Sequence, residues 1–332
     1  MTKDAILVTG GGGYIGSHAV LALMEAGYRP VVLDDLSTGS RALVPLDVPL
    51  VVGNAGDRNL VTEVLGRFGC SAVMHFAASI SVEESVRRPA HYWRNNAGTT
   101  AALLEACAGA KLGRFIFSST AAVYGNASLE PVNEETPCKP LNPYGSSKLA
   151  CEQMISDMEP ACGLRFVALR YFNVAGADPM GRSGQSGPEA SHLIRSACEV
   201  ALGRRDFLAI YGTDYPTPDG TGVRDYIHVS DVASAHVAAL RYLESDGQSA
   251  IMNLGYGQGF SVREVVQALE RVHGKALPVK EAPRREGDSA AVVADATRIR
   301  ALLDWQPRHG SLDHILETAL AWERKKEEGG NL

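Results

Sequence analysis

The feature that most constrains this chain is a strand, a glycine turn and a helix in immediate succession near its start. Ala5-Ile6-Leu7-Val8-Thr9 has no polar residue before Thr9, as expected of a strand buried on both faces. Gly10, Gly13 and Gly16 follow in the spacing G-x-x-G-x-x-G, and Ile15, Ala19, Ala22 and Ala26 then recur at helical intervals. Glycines let the backbone approach a diphosphate, and the N-terminus of the next helix favours negative charge. A second strand, residues 30–33, ends at Asp34. A carboxylate there accepts hydrogen bonds from both ribose hydroxyls of an adenosine and repels a 2′-phosphate, so the expected dinucleotide is NAD rather than NADP. A glycine run alone is equally a flexible loop; its placement between strand and helix, with the aspartate beyond, is what points to a phosphate site.

The alternation continues. Val51-Val52-Gly53 and Ala72-Val73-Met74-His75-Phe76 read as the third and fourth strands, and residues 91–110 as one long helix. Phe115-Ile116-Phe117-Ser118-Ser119 and Arg165-Phe166-Val167-Ala168-Leu169-Arg170-Tyr171 supply two more strands. This pattern predicts an α/β fold, a doubly wound parallel sheet of Rossmann type with right-handed crossovers. The character changes after Asn173, with glycine- and proline-rich stretches at 176–190 and about 212–223. The expected organisation is an NAD-binding domain over 1–173 and a smaller, mainly substrate-binding C-terminal lobe over 174–332. Residues 230–254, a helix and then a strand, are expected to return to the main sheet. Residues 323–328 carry charges of both signs and read as a solvated helix end.

Composition narrows the function classes. The chain is 45% hydrophobic and 21% charged, and no apolar run approaches the ~20 residues of a membrane helix. Met1-Thr2-Lys3-Asp4 leads straight into the first strand, leaving no room for a signal peptide. A net charge of −6 argues against a nucleic-acid partner. Six cysteines without a C-x-x-C pair suit a reducing, cytoplasmic compartment. Nine histidines form no H-E-x-x-H or Cys/His motif, so no metal site is expected, and His75 reads as a packed strand residue.

A second constellation is Asn142-Pro143-Tyr144-Gly145-Ser146-Ser147-Lys148. Asn142 suits a helix cap and Pro143 the first helical position. Residues four apart then share one face, so the Tyr144 phenol and the Lys148 ammonium converge. A free tyrosine has a pKa of about 10, and bringing it near 7 takes roughly 4 kcal/mol of preferential phenolate stabilisation. A neighbouring cation in a water-poor cleft supplies stabilisation of that sign. A surface tyrosine beside a surface lysine is the bland reading, and the glycine motif weighs against it. Tyr124 is the alternative base.

The glycine motif, Asp34, Phe76-Ala77-Ala78, Asn96, Ser118-Ser119-Thr120, Tyr144 and Lys148 together resemble the extended short-chain dehydrogenase/reductase superfamily. Further stretches look like those of the UDP-glucose 4-epimerase family, in order from about residue 5 to 325. They are Leu169-Arg170-Tyr171-Phe172-Asn173, Gly203-Arg204-Arg205-Asp206, Gly220-Thr221-Gly222-Val223-Arg224-Asp225-Tyr226-Ile227-His228-Val229 and Ala282-Pro283-Arg284-Arg285-Glu286-Gly287-Asp288. The resemblance implies a tightly held NAD, a UDP-sugar substrate and a homodimer packed through helices near 91–110 and 143–160. It implies that Tyr144 takes the proton of the sugar 4-hydroxyl as C4 is oxidised, and that the 4-ketose turns over and is reduced on its other face. Lys148 would lower the Tyr144 pKa and hold the nicotinamide ribose, and Thr120 would hydrogen-bond the reacting oxygen. The implied cofactor contacts are Gly10, Gly13, Tyr14, Ile15, Gly16, Asp34, Asn54, Ala55, Phe76, Ala77, Ala78, Asn96, Ser118, Tyr144, Lys148 and Tyr171. The implied substrate contacts are Thr120, Tyr144, Asn173, His192, Leu193, Tyr211, Arg224, Arg285, Asp288 and Val292. Arg224 and Arg285 match diphosphate oxygens with planar guanidinium forks, although either alone reads equally as half of a surface ion pair.

Three positions depart from the resembled pattern. Ile80 replaces a frequent lysine near the cofactor phosphates, His192 an asparagine near the diphosphate, and Val292 a larger tyrosine at the sugar end. The nearest other reading on this scaffold is a nucleotide-sugar dehydratase or decarboxylase, which needs further acid–base residues after the active-site Ser/Thr. Here Thr120 is followed by Ala121-Ala122-Val123-Tyr124, with no carboxylate. Related UDP-sugars, N-acetylated or pentose, remain open at this stage.

Overall fold

The first strand is buried at every residue, and it organises the molecule. The computed structural model describes residues 4–126, 131–187, 192–285 and 288–329. In chain order β1 (Ala5–Thr9) runs into α1 (Tyr14–Glu25), followed by β2 (Arg29–Asp34), β3 (Leu50–Val52), α2 (Arg58–Phe68) and β4 (Cys70–His75). Next come α3 (Val82–Arg87), α4 (Pro89–Tyr92), a π-helical turn at Trp93–Gly98, α5 (Thr99–Gly109), β5 (Arg114–Thr120), α6 (Pro143–Cys162) and β6 (Arg165–Tyr171). The rest comprises β7 (Asn173–Ala175), α7 (Leu193–Ala201), β8 (Leu208–Tyr211), β9 (Val223–His228), α8 (Val229–Glu244), β10 (Ala250–Leu254) and β11 (Gly259–Ser261). It ends with α9 (Val262–His273), β12 (Val279–Ala282), β13 (Ala291–Val292), α10 (Thr297–Leu302) and α11 (Leu312–Gly329).

Seven parallel strands in the order β10-β6-β5-β4-β1-β2-β3 form the main sheet, as the alternation predicts. Alternate residues of β1 serve opposite faces. Ile6 and Val8 pack with Val20 and Leu23 of α1 and Leu240 of α8, while Leu7 packs with Leu65 of α2, Leu103 of α5 and Ile155 of α6. The strand order reverses between β1 and β4, so their carboxyl ends flank a crevice of the kind that binds ligands in open α/β sheets. The strand β10 joins the sheet beside β6, in register from Ala250–Val167 to Leu254–Tyr171.

A smaller assembly lies beyond Asn173. β9 pairs with β11, β13 and β7, β8 pairs with β12, and α7, α9 and α11 share a separate core around Val265, Leu269, Ile315 and Leu316. The lobes are laced together at α1: the Tyr14 hydroxyl donates to the Gly176 carbonyl at 2.6 Å, and Ser17 and Ser183 share a 2.6 Å hydrogen bond.

One expectation is refined and one corrected. Residues 91–109 form the expected long helical stretch, which is not purely α-helical because a π turn lies at Trp93–Gly98 between α4 and α5. Inside it, buried Asn96 donates to the Ser79 carbonyl and to Ser147 Oγ, both at 3.0 Å, and accepts from the Ser79 N–H at 2.8 Å. Tertiary hydrogen bonds thus accompany the local break in helical periodicity. Nor is the tail simply solvated. Glu323 is buried and accepts from Arg204 at 2.9 Å and Lys326 at 2.7 Å, so Arg204 of the Gly203-Arg204-Arg205-Asp206 block anchors α11.

Candidate active site

The glycine turn takes its shape from close backbone approach. Gly10 has φ +72°, and a Cβ there would lie 2.6 Å from Ala77 N, in the Phe76-Ala77-Ala78 segment that leaves β4. A Cβ on Gly16 would lie 2.1 Å from the Gly10 carbonyl oxygen. Gly13 is the N-cap of α1, and no side chain caps that helix, so the first-turn N–H groups of Tyr14 and Ile15 face outward from an open positive end. The Tyr14 ring itself is committed to Gly176. Buried Asp34 accepts from Gly12 N and Leu36 N, each at 2.8 Å. A carboxylate has about four acceptor positions, so two remain for a diol. A glycine cradle, an open helix end and an adjoining carboxylate fit a dinucleotide without a 2′-phosphate.

The other proposed cofactor contacts differ in how free they are. Phe76 is half-buried, with its ring 4.7 Å from that of His236, and Ile15 packs on the core. Ala55 is buried; exposed Asn54 accepts from Gly56 N at 2.7 Å. The bonds of Asn96 make it a brace between the Ser79 loop and α6. Buried Tyr171 shares a 2.8 Å hydrogen bond with His236.

Local chemistry builds the helix that carries Tyr144 and Lys148. The Asn142 side chain accepts from Gly145 N at 2.9 Å, Pro143 occupies the first turn, and Gly163 closes the far end at φ 74°. Half-buried Tyr144 meets the ring of Tyr92 edge-on, centroids 6.4 Å apart. The side chain of Thr120, at the end of β5, lies near enough to the Tyr144 hydroxyl to pull its pKa down. Since Thr120 Oγ1 accepts from Ala122 N at 3.1 Å, its own proton is available to the phenol oxygen. Lys148 is buried, donates to the Ser118 carbonyl at 2.7 Å and lies over the Phe117 ring at 4.7 Å. Burial pulls its pKa down to about 8, against the opposing influence of Cys151 and Glu152.

The Tyr144 pKa stands above its usual value, because burial outweighs the influence of Thr120. The expectation that Lys148 lowers it is therefore not met by the polypeptide alone. Tyr124 is corrected as an alternative base: it is buried, its hydroxyl donates to Asn253 at 2.6 Å and accepts from Arg170 at 2.9 Å, and burial pushes it up to about 12. His75 is packed as expected, bonded to Thr9 at 2.6 Å and Thr100 at 3.1 Å.

On the other side, register and charge gather the proposed substrate contacts. Val292 pairs with Arg224 across β13 and β9, and Arg224 reaches Asp288 at 3.5 Å. The Arg285 guanidinium stacks 3.9 Å above the Tyr211 ring. Glu286 and Gly287 of that block lie outside the described residues. Ser289 donates to the Gly125 carbonyl at 3.5 Å and Val132 N donates to Val293 O at 2.9 Å, so this strand lies against the segment that follows Thr120. Val292 packs with Val123, Tyr124 and Phe172. Asn173 pairs with Tyr226 between β7 and β9. Exposed His192 is the N-cap position of α7, without capping it through its side chain, and Leu193 is its first residue. Ile80 is 60% exposed and brings no charge to the crevice.

Sequence reasoning missed Glu152 and Arg170. Glu152 lies one turn beyond Lys148, and its oxygens receive Arg170 Nε at 2.9 Å, Arg170 Nη2 at 2.6 Å and the Ser119 hydroxyl. The i+4 spacing from Lys148 was the available signal. It also missed a histidine group: among the described residues, His228, His309 and His314 bring ring nitrogens together, against the expectation of no such cluster.

Residues 6–255 match the family described as NAD dependent epimerase/dehydratase, and the chain belongs to that family. It is 55% identical over 323 residues to the UDP-glucose 4-epimerase of Azospirillum brasilense, covering 97% of this chain and 93% of the relative. It resembles the crystal structure of UDP-glucose 4-epimerase from Brucella ovis in complex with NAD, with TM-score 0.93, 45% identity and coverage of 96% and 98%. It also resembles the UDP-Glc/GlcNAc 4-epimerase of Campylobacter jejuni, with TM-score 0.86, 42% identity and coverage of 97% and 100%.

Proposed function

We infer that the chain is an NAD-dependent isomerase that interconverts UDP-glucose and UDP-galactose through a transient 4-keto sugar. The observation that carries this reading is the meeting of Thr120, Tyr144 and Lys148 at the sheet end that also holds the glycine cradle, in a chain this close to UDP-glucose 4-epimerases. Gly10, Gly13, Tyr14, Ile15 and Gly16 would hold the dinucleotide phosphates and Asp34 the adenosine ribose. Asn54, Ala55, Phe76, Ala77, Ala78, Asn96, Ser118, Lys148 and Tyr171 would complete that wall. A nicotinamide held there would supply hydride acceptor and donor chemistry for C4 and a positive charge that favours the phenolate.

Tyr144 takes the 4-hydroxyl proton and later gives it back. Thr120 donates to the phenolate and steadies the charged form. Arg224 and Arg285 hold the diphosphate and Asp288 the uridine ribose, while Asn173, His192, Leu193, Tyr211 and Val292 border the rest of the substrate. With its nucleotide part clamped by charge, the ketose rotates without escaping and offers its other face to the same groups. Ala121 and Ala122 carry no proton, and the Glu152 carboxylate is taken up by Arg170 and Ser119, which favours oxidation and return over elimination.

We assign residues 1–173, with 230–254, to the dinucleotide-binding half and the remainder of 174–332 to the UDP-sugar half. We further infer a homodimer packed through 91–110 and 143–160, supported by exposed Trp93 with Val82 and Val86 on nearby α3, and a reducing cytoplasmic setting, supported by six unpaired cysteines. No helix among the described residues is long and apolar enough to cross a membrane. The purified protein, denatured and assayed for dinucleotide, is expected to release NAD. Proton NMR with UDP-galactose and no added NAD is expected to show UDP-glucose accumulating. Apoprotein that consumes NAD stoichiometrically would sink the reading.

A further inference from the structure

His228, His309 and His314 come from the end of β9, the loop after α10 and the first turn of α11, yet one ring nitrogen of each lies within 4.8 Å of the others. The rings are near parallel, with interplanar angles of 28°, 20° and 13° and centroids 4.6, 5.4 and 5.1 Å apart. His309 Nδ1 and His314 Nε2 share a 3.0 Å hydrogen bond, so one of them carries a proton that a bound cation would displace. His314 Nδ1 lies 3.6 Å from the Glu317 carboxylate. The backbone N–H of His309 donates to Asp231 at 2.9 Å and fixes the loop. His228 forms a fully buried floor, with Nε2 3.1 Å from the Thr318 hydroxyl and Nδ1 accepting from Ser230 N at 3.1 Å.

We propose that His309 and His314, with His228 beneath them, bind a divalent transition metal through their imidazole nitrogens. Glu317 is the carboxylate that orients His314, and Asp178 and Asp231 lie close enough to offset part of the ion's charge. The site joins the β9–α8 corner to α11, so the ion would staple the C-terminal helix to the body of the protein.

The test uses tag-free protein stripped with EDTA, titrated calorimetrically with nickel(II), copper(II) and zinc(II) and followed by thermal unfolding. One equivalent of at least one of these ions per chain should bind, and the unfolding temperature should rise with it, since binding to the native state alone stabilises it. His309→Ala and His314→Ala, both at half-buried positions, should each weaken binding at least about 10-fold, and Glu317→Ala should weaken it about 10-fold, as loss of an orienting partner does. Absence of saturable binding by any of the three ions, or native-like binding by both histidine variants, would overturn the site. UDP-sugar turnover by the two histidine variants, compared with native protein, reports that they are folded.

Discussion

Glu152 and Arg170 form a two-pronged ion pair behind the candidate active site, with Arg170 Nε and Nη2 at 2.9 and 2.6 Å from the two carboxylate oxygens and both side chains almost wholly buried. Ser119 adds a third bond to Glu152, and Tyr124 links Arg170 onward to Asn253. The network ties α6, which carries Tyr144 and Lys148, to β5, which carries Thr120, and to the strand edge at β10. Its chemistry holds geometry rather than protons, because every charged group in it already has a partner.

Breaking that pair from one side is expected to destabilise the fold. Glu152→Ala leaves the Arg170 charge buried with only Tyr124 beside it, and such a loss typically costs 3–5 kcal/mol. Urea unfolding of the variant should show a correspondingly lower midpoint, and replacing both residues by apolar side chains should be milder than replacing one.

Tyr144→Phe should lower kcat by about 10²-fold or more, the usual range for a positioned base. UDP should still bind, measured by calorimetry. Tyr124 is not positioned to substitute, since Asn253 and Arg170 occupy its hydroxyl. Near-native turnover by Tyr144→Phe would place the base elsewhere.

Thr120→Val should displace the pH–rate profile. The Thr120 hydroxyl favours the phenolate and so lowers the Tyr144 pKa against the upward push of burial. Removing it raises that pKa, so less phenolate exists near neutrality and the rising limb of kcat/KM moves to higher pH. Activity should recover toward native as the medium becomes alkaline. An unmoved limb would mean that Thr120 does not act on this phenol.

Arg224→Ala and Arg285→Ala should weaken UDP binding by roughly 1.5–3 kcal/mol each, the range for a lost hydrogen bond to a charged group. Bound NAD should remain, read from the absorbance of a denatured supernatant. Equal UDP affinity in both variants and the native protein would reject the diphosphate assignment.

Val292 sits opposite Arg224 in the β13–β9 register and is only partly covered by Val123, Tyr124 and Phe172. At the sugar border proposed for it, a small side chain leaves room for an acetamido group, and overpacking by a ring typically costs 1–3 kcal/mol. Native protein should therefore turn over UDP-N-acetylgalactosamine as well as UDP-galactose, and Val292→Tyr should lower kcat/KM for the acetylated sugar about 10- to 200-fold. No turnover of the acetylated sugar by native protein would remove the gate.

Local signals carried much of this molecule. The apolar run of β1, the glycine spacing and the Asn142-Pro143 start of α6 were readable because strand burial, turn geometry and helix capping act between neighbours in the chain. The histidines were unreadable as a group, since residues 228, 309 and 314 meet only where β9, a loop and α11 pack together. The same holds for Asn96, whose π turn accompanies bonds to Ser79 and Ser147 that helical periodicity does not contain.

By itself the sequence determined the strand–helix alternation through β6, the dinucleotide cradle and the tyrosine–lysine face, all products of spacing over a few residues. Tertiary structure alone decided which strand lies beside which, that Arg204 is spent on Glu323 while Arg224 faces Asp288, and that burial holds the Tyr144 proton more tightly than Thr120 loosens it. Pairing and desolvation depend on what the folded chain brings near and what water it removes, and neither is written in the separation of residues along the chain.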